Sequence, residues 1–175
     1  MALHFSGHSL LRTTAILLTL LSPAAPVHAA DDANPALWKA TVRGDYARVL
    51  AGVKSSLEAA QFQILGEDNL SRGLENNMET FGADKWNSIG FGNVTAVHFC
   101  SLTFNQQVFN INMDWSILCP FKVVVLNMKA APDRITLILT RPTWILARDP
   151  HPEARRIGET IEKRIVAALR EGAGL

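Results

Sequence analysis

Apolar and polar residues recur along the chain with periods that predict the element order β-α-β-α-β-α-β-β-α. Trp38, Ala40 and Val42 alternate with Lys39, Thr41 and Arg43, the period of two of a strand with one wet face. Asp45 follows as an N-cap, after which Tyr46, Val49, Leu50, Val53, Leu57 and Ala60 fall on one helical stripe. Residues 62–65 read as a second strand. Leu70, Leu74, Met78 and Phe81 repeat at helical spacing, in a segment weakened by Gly73 and the Asn76-Asn77 pair. A third strand over 94–102 places Val94, Ala96, His98, Cys100 and Leu102 on one face. Thr103 and Gln106 have the spacing of a capping box, and Phe104, Val108, Ile111 and Trp115 follow at three- and four-residue steps. The apolar run 121–128 has strand length. Ala131-Pro132-Asp133 reads as a turn into a hairpin partner carrying Ile135, Leu137 and Leu139. Pro152 suits a first helical position, and Ala154, Ile157, Ile161, Ile165, Ala168 and Leu169 form the stripe of a terminal helix. This order predicts an α+β fold of two layers, with helices packed on one face of a mixed or antiparallel sheet.

The first 29 residues have a different pattern. Arg12 is their one charged side chain, residues 13–21 are apolar apart from threonines, and Pro23 and Pro26 precede Val27-His28-Ala29. That is the layout of an export signal, with cleavage expected after Ala29. The apolar run is about half of the roughly 20 residues needed to cross a bilayer. The expected organisation is therefore a signal peptide over 1–29, an N-terminal segment with the first strand over 30–44, and one α+β domain over 45–172. The mature chain is expected to be soluble, periplasmic or secreted, with no membrane span after cleavage.

Charge narrows the partners. The full chain has 17 Lys and Arg against 16 Asp and Glu. Cleavage removes only Arg12, which leaves the two signs equal. A neutral domain without a basic stripe lacks the electrostatic footprint of a nucleic-acid binder. Of the histidines, only His98 and His151 survive cleavage.

Candidate chemistry centres on the only two cysteines, Cys100 and Cys119. His98 and Cys100 leave the same strand face and lie close together, so with Cys119, or a thioether such as Met113, they form a candidate metal-ligand set. A hydrogen-bonded core histidine beside two thiols is the plainer alternative. A disulfide depends on topology. Parallel strands joined by the intervening helix would put the cysteines at opposite ends of the sheet, more than ~7 Å apart between Cα atoms and unbridgeable. Antiparallel strands would bring them to one end. The crossover geometry favours two separate thiols.

Several chemistries lack their signatures. Covalent haem of the c type needs Cys-x-x-Cys-His, which is absent, and Gly90-x-Gly92 lacks the third glycine and the strand-to-helix context of a nucleotide loop. There is no Gly-x-Ser-x-Gly elbow and no His-Glu-x-x-His, so enzyme activity has no motif behind it. Glu75 and Glu79 share a predicted helix face that reads as solvated. Arg155, Arg156, Lys163 and Arg170 alternate with Glu153, Glu159 and Glu162 as a salt-bridged surface.

Over residues 97–144, and more loosely from about Tyr46 to the terminal helix, the chain resembles the family catalogued as domain of unknown function 302 (DUF302). Those domains are similar in having a strand that ends at a cysteine, usually Cys-Asn, then a short helix, then Leu-Pro-Cys leading into an apolar strand and a hairpin. Cys100-Ser101-Leu102-Thr103 stands in the first place and Pro120 with Lys122-Val123-Val124-Val125 in the second. Two positions depart from the pattern. Phe121 occupies the second cysteine's place while Cys119 lies two residues earlier, and Asn112-Met113 replaces an Asp-Pro. In an extended segment residues 119 and 121 share a face, which puts the displaced thiol roughly 6–7 Å away. The resemblance implies the fold and brings no activity with it.

The reading that unites these observations is an exported binding or accessory domain. It would hold a small, apolar ligand or a protein partner between its helices and sheet, with Trp115, Phe121 and Trp144 as pocket residues and Trp86 and Phe91 beside loops. The alternative is a thiol-based redox or metal-handling protein using His98, Cys100 and Cys119. No cofactor follows from the sequence.

Overall fold

The computed structural model describes residues 34–175, so the expected export signal and its cleavage point lie outside the described residues. Five strands form one sheet: β1 (Leu37–Arg43), β2 (Gln63–Asn69), β3 (Phe91–Cys100), β4 (Phe121–Met128) and β5 (Ala131–Thr140), in the order β1-β5-β4-β3-β2. Every neighbouring pair is antiparallel. β4 sits at the centre, and its strict alternation buries Phe121, Val123, Val125 and Asn127 on one face. Register aligns Val123 with Val97 and Leu139, and Val125 with Thr95 and Leu137, so buried rows, apolar but for Thr95, run straight across three strands.

Helices α1 (Tyr46–Ala59) and α6 (Pro152–Ala173) cover that face. Val53 and Leu57 from α1 and Ile165 and Leu169 from α6 are almost fully buried against Val97, Phe99, Ile135 and Leu137. Each such side chain contributes about 1.5–3 kcal/mol on leaving water. The two helices cross where both are bare. A Cβ added at Gly172 would come 2.5 Å from the Gly52 carbonyl oxygen, a separation only a glycine pair permits. At its start α1 is capped as expected, with Asp45 Oδ1 accepting from the Arg48 N–H at 2.9 Å.

Three local predictions change. The 70–81 segment is two short helices, α2 (Leu70–Glu75) and α3 (Met78–Phe81), because the Asn77 side-chain amide donates to the Gly73 carbonyl at 2.8 Å and takes an acceptor that would continue the helix. Its apolar stripe does not enter the core, and Leu70, Leu74, Met78 and Phe81 remain 38–48% exposed. Helix α4 (Leu102–Phe109) is capped two residues earlier than the Thr103–Gln106 box suggests, by the buried Ser101, whose hydroxyl accepts from the Phe104 N–H. It stops at Phe109, and Trp115 belongs to a separate 3-10 turn over Met113–Leu118.

A further short helix, α5 (Pro142–Leu146), has no side-chain cap of its own. Its cap is remote. Glu162 of α6, nearly buried, accepts from the Thr143 N–H at 3.1 Å, from the Thr143 hydroxyl, and from Arg141 Nε at 2.8 Å.

Candidate functional site

The strand β3 has candidate chemistry at both ends. At its C-terminal end Cys100 is bonded to Cys119 in a disulfide with a Cα–Cα distance of 5.7 Å. This overturns the expectation of two separate thiols. The reason is topological: β3 and β4 are antiparallel neighbours, so α4 and the 3-10 turn return the chain to the end of the sheet it left. Asn105, from α4, directs its Nδ2 at both sulfurs, at 3.1 Å from Cys100 and 3.2 Å from Cys119. The Asn105 Oδ1 is buried without a hydrogen-bond partner.

His98 does not join the sulfurs. Its Nε2 lies 2.9 Å from Asp68 Oδ2 on the neighbouring β2, which gives the ring a carboxylate partner across the strand pair. The ligand set of His98, Cys100 and Cys119 is thus not assembled, because both sulfurs are spent on each other. Among the described residues no group of three or more His, Cys, Asp and Glu is placed to hold a metal ion.

The aromatic pocket residues are likewise dispersed. Phe121 is a core side chain, 4% exposed and packed on Phe99 and Phe104 with ring centroids 5.7 and 4.9 Å away. Trp115 donates its indole N–H to Asp149 Oδ2, and Asn112 donates to the same oxygen. Asp149 also accepts from the His151 N–H. These donors, the His151 backbone first, hold its carboxyl below the ordinary carboxylate value. Trp144 is half exposed, with the Arg148 guanidinium 4.1 Å from its ring centre. The space between helices and sheet, where the sequence suggested a ligand, is occupied by the core itself.

At the N-terminal end of β3 the chain leaves an open cleft of about 240 Å³. Three segments far apart in sequence build it: Asn69, Ser71, Arg72 and Glu75 in and before α2, Trp86 with Gly92 and Asn93 around the start of β3, and Lys129 in the β4–β5 turn. Local bonds explain the shape. Asn69 caps α2 by accepting from the Arg72 N–H at 2.9 Å, and the Ser71 hydroxyl both donates to Asn69 Oδ1 and accepts from the Val94 N–H. That ties α2 to the edge of β3. Gly92 permits close approach of β4, since a Cβ there would lie 2.7 Å from Asn127 Oδ1. The buried Asn127 in turn accepts from the Asn93 N–H at 2.7 Å and donates to the Pro132 carbonyl at 2.8 Å.

Charge is uneven in this cleft. The Arg72 guanidinium and the Glu75 carboxylate have no side-chain bond among the described residues, and the Lys129 ammonium rests 5.3 Å from the centre of the Trp86 ring. Helical spacing makes Glu75 half of a solvated pair with Glu79. The break at Asn76-Asn77 puts the two glutamates on different helices, and only Glu75 lines the cleft. Of the cleft residues, the sequence points to Trp86 alone as a binding residue, an aromatic near a glycine-rich loop. Arg72 and Lys129 carry no local signature, because their proximity comes from the β4–β5 turn meeting α2.

The family model described as "Domain of unknown function DUF302" matches residues 38–172. The crystal structure of the uncharacterized conserved protein DUF302 from Bacillus stearothermophilus is similar at a TM-score of 0.64 and 18% identity, covering 79% of this chain and 98% of that one. At that identity the likeness concerns the fold alone. No curated protein matches the chain.

Proposed function

The chain belongs to the DUF302 family, and on that footing we propose that it is an exported binding domain that holds a small, polar ligand in the cleft between α2, the start of β3 and the β4–β5 turn. One observation carries this reading: three separate segments converge there and leave hydrogen-bonding groups unspent. Several ionic side chains elsewhere in the domain are matched. Arg43 pairs with Asp133 at 2.5 Å, Lys54 with Glu67 at 2.8 Å, Arg141 with Glu162 at 2.8 Å, and Arg156 with Glu153. Ligand sites combine concavity with a few convergent polar groups, and at about 240 Å³ this cleft lies just below the roughly 300–1,000 Å³ of drug-sized sites. Its ligand is accordingly small.

The disulfide supports export. Such bonds persist in oxidising compartments and are rare where the cytosol keeps thiols reduced. The layout of residues 1–29 supports the same placement.

The test is calorimetric titration of the purified mature protein with a panel of neutral and charged small molecules: glucose, glycine, citrate and inorganic phosphate. Native mass spectrometry for a carried-over ligand accompanies it. The reading expects at least one complex that is lost when Arg72 and Lys129 are both replaced by alanine. Absence of any complex in both measurements overturns it.

A further inference from the structure

Hydrogen-bond supply in the cleft is lopsided, and the imbalance specifies a ligand class. The groups already engaged are Asn69 Oδ1, which serves Ser71 and Arg72, the Ser71 hydroxyl, and the Asn93 backbone N–H. What remains among the donor side chains is the whole Arg72 guanidinium, the Lys129 ammonium, the Asn69 Nδ2 amide and the Trp86 indole N–H. Among the side chains, the free acceptors are the Glu75 carboxylate and Asn93 Oδ1. A guanidinium carries five N–H donors and an ammonium three, with no acceptor on either. Donors therefore outnumber the acceptor sites of these side chains, and two positive charges face one negative.

We propose that the cleft binds an acceptor-rich oxoanion, a carboxylate or phosphate group of a small molecule, gripped between the Arg72 guanidinium and the Lys129 ammonium. This rests on the cleft being the binding site. Arg72 supplies the fork that matches two oxygens of a carboxylate or phosphate, and Lys129 supplies a mobile point charge. Lys129 reaches the anion by leaving its resting place over the face of Trp86. Asn69 Nδ2 adds a neutral donor at the same wall. Glu75 opposes the anion, so the bound group lies on the Arg72–Lys129 side.

The experiment is calorimetric titration of the mature protein with citrate, inorganic phosphate and glucose, repeated on Arg72→Ala, Lys129→Ala and Glu75→Gln. All three side chains are exposed, and an unchanged thermal melt checks each variant's fold. The expected result is binding of citrate or phosphate, weakened about ten- to a hundredfold by either alanine variant, as for loss of a charged hydrogen-bond partner. The Glu75→Gln variant removes the opposing charge and binds the same anion more tightly. Whichever of citrate and phosphate binds better identifies the source of the oxoanion as carboxylate or phosphate. Binding of glucose without either anion overturns the anion assignment and leaves the cleft as a site. Anion binding indifferent to both alanine variants, or weakened by Glu75→Gln, overturns the assignment of the anion to this grip. No binding by any of the three probes overturns it as well, whereas a different complex lost on removing Arg72 and Lys129 together preserves the cleft reading.

Discussion

Removing the Cys100–Cys119 bond should lower stability by an amount set by the loop it closes. The two residues are 19 apart in sequence. In the chain-entropy description a loop of that size restricts the unfolded ensemble by about 3 kcal/mol at room temperature. Against a typical domain stability of roughly 5–15 kcal/mol this is a large share, yet the core built by β3–β5 with α1 and α6 does not depend on it. The Cys100→Ala/Cys119→Ala variant should therefore fold, and melt about 6–12 °C below the oxidised parent for a chain of this size. Urea unfolding followed by tryptophan fluorescence measures the difference, and the midpoint should fall by more than the slope changes. Thiol titration of the denatured, unreduced parent should find no free thiol. Equal stability of the parent and the double variant, within about 0.5 kcal/mol, would refute the loop-closure argument. Two titratable thiols in the parent would refute the bond itself.

Other consequences follow from single contacts. Gly172→Ala drives a methyl into the Gly52 carbonyl where α1 and α6 cross, and should cost about 1–3 kcal/mol or more in denaturant unfolding. A cost under about 0.5 kcal/mol would mean the helices separate freely there. Glu162→Ala strips the remote cap from α5 and an ion pair from Arg141, for an expected loss of about 1–3 kcal/mol, while Glu159→Ala on the same helix should cost little. Tyr46, the only tyrosine of the chain, has its phenol half-buried beside Thr95 and bonded to the Val125 carbonyl, and this partial burial pushes it above the ordinary value of 10.0. The folded state then holds that proton more tightly than the unfolded one. Its contribution is complete below about pH 10 and is lost as pH rises through the folded value. Tyrosinate absorbance should appear later than for a free tyrosine, and Tyr46→Phe should flatten the alkaline loss of stability. An ordinary titration would contradict the burial argument. N-terminal sequencing of protein recovered from the exported fraction should begin at Ala30; a chain beginning at Met1 would overturn the export reading.

The parts of the fold that were legible are those where one residue type answers to one local force. β4 follows from an apolar run of strand length, β5 from alternation, α1 from Asp45 and its stripe, and α6 from Pro152 followed by regular isoleucines. Reading failed where a competing partner came from elsewhere in the chain. Thr103 and Gln106 have the spacing of a cap, but Ser101 is already in extended geometry at the end of β3 and takes the role. The stripe Leu70, Leu74, Met78 and Phe81 has core periodicity, yet α2 lies along the edge of β3 and not on the sheet's face, so its leucines stay half wet. No local signal could announce α5, because its cap belongs to Glu162 on another helix. The disulfide turned on strand direction, and the periodicity of β3 and β4 is the same whether they run parallel or antiparallel.

The two ends of β3 also separate the two functional readings. A strand of ten residues spans about 30 Å, and between the disulfide and the cleft lie Val97 and Phe99, fully buried and clamped by Val123 and Phe121. The cleft is shaped by Asn127, Asn93 and Ser71, whose hydrogen bonds go to one another, to Asn69, Val94 and Pro132, and not to α4 or the 3-10 turn that the disulfide ties down. Loss of the bond loosens the unfolded chain and the 100–119 loop, and leaves the Arg72–Lys129 geometry in place. Anion affinity measured on the Cys100→Ala/Cys119→Ala variant at a temperature where it is folded should equal that of the parent within about twofold, since changes this far apart and without shared partners are additive. A larger change would mean that thiol state and ligand binding are coupled through β3, and the domain would then act as a redox-gated binder, not as a binding site stapled at its far end.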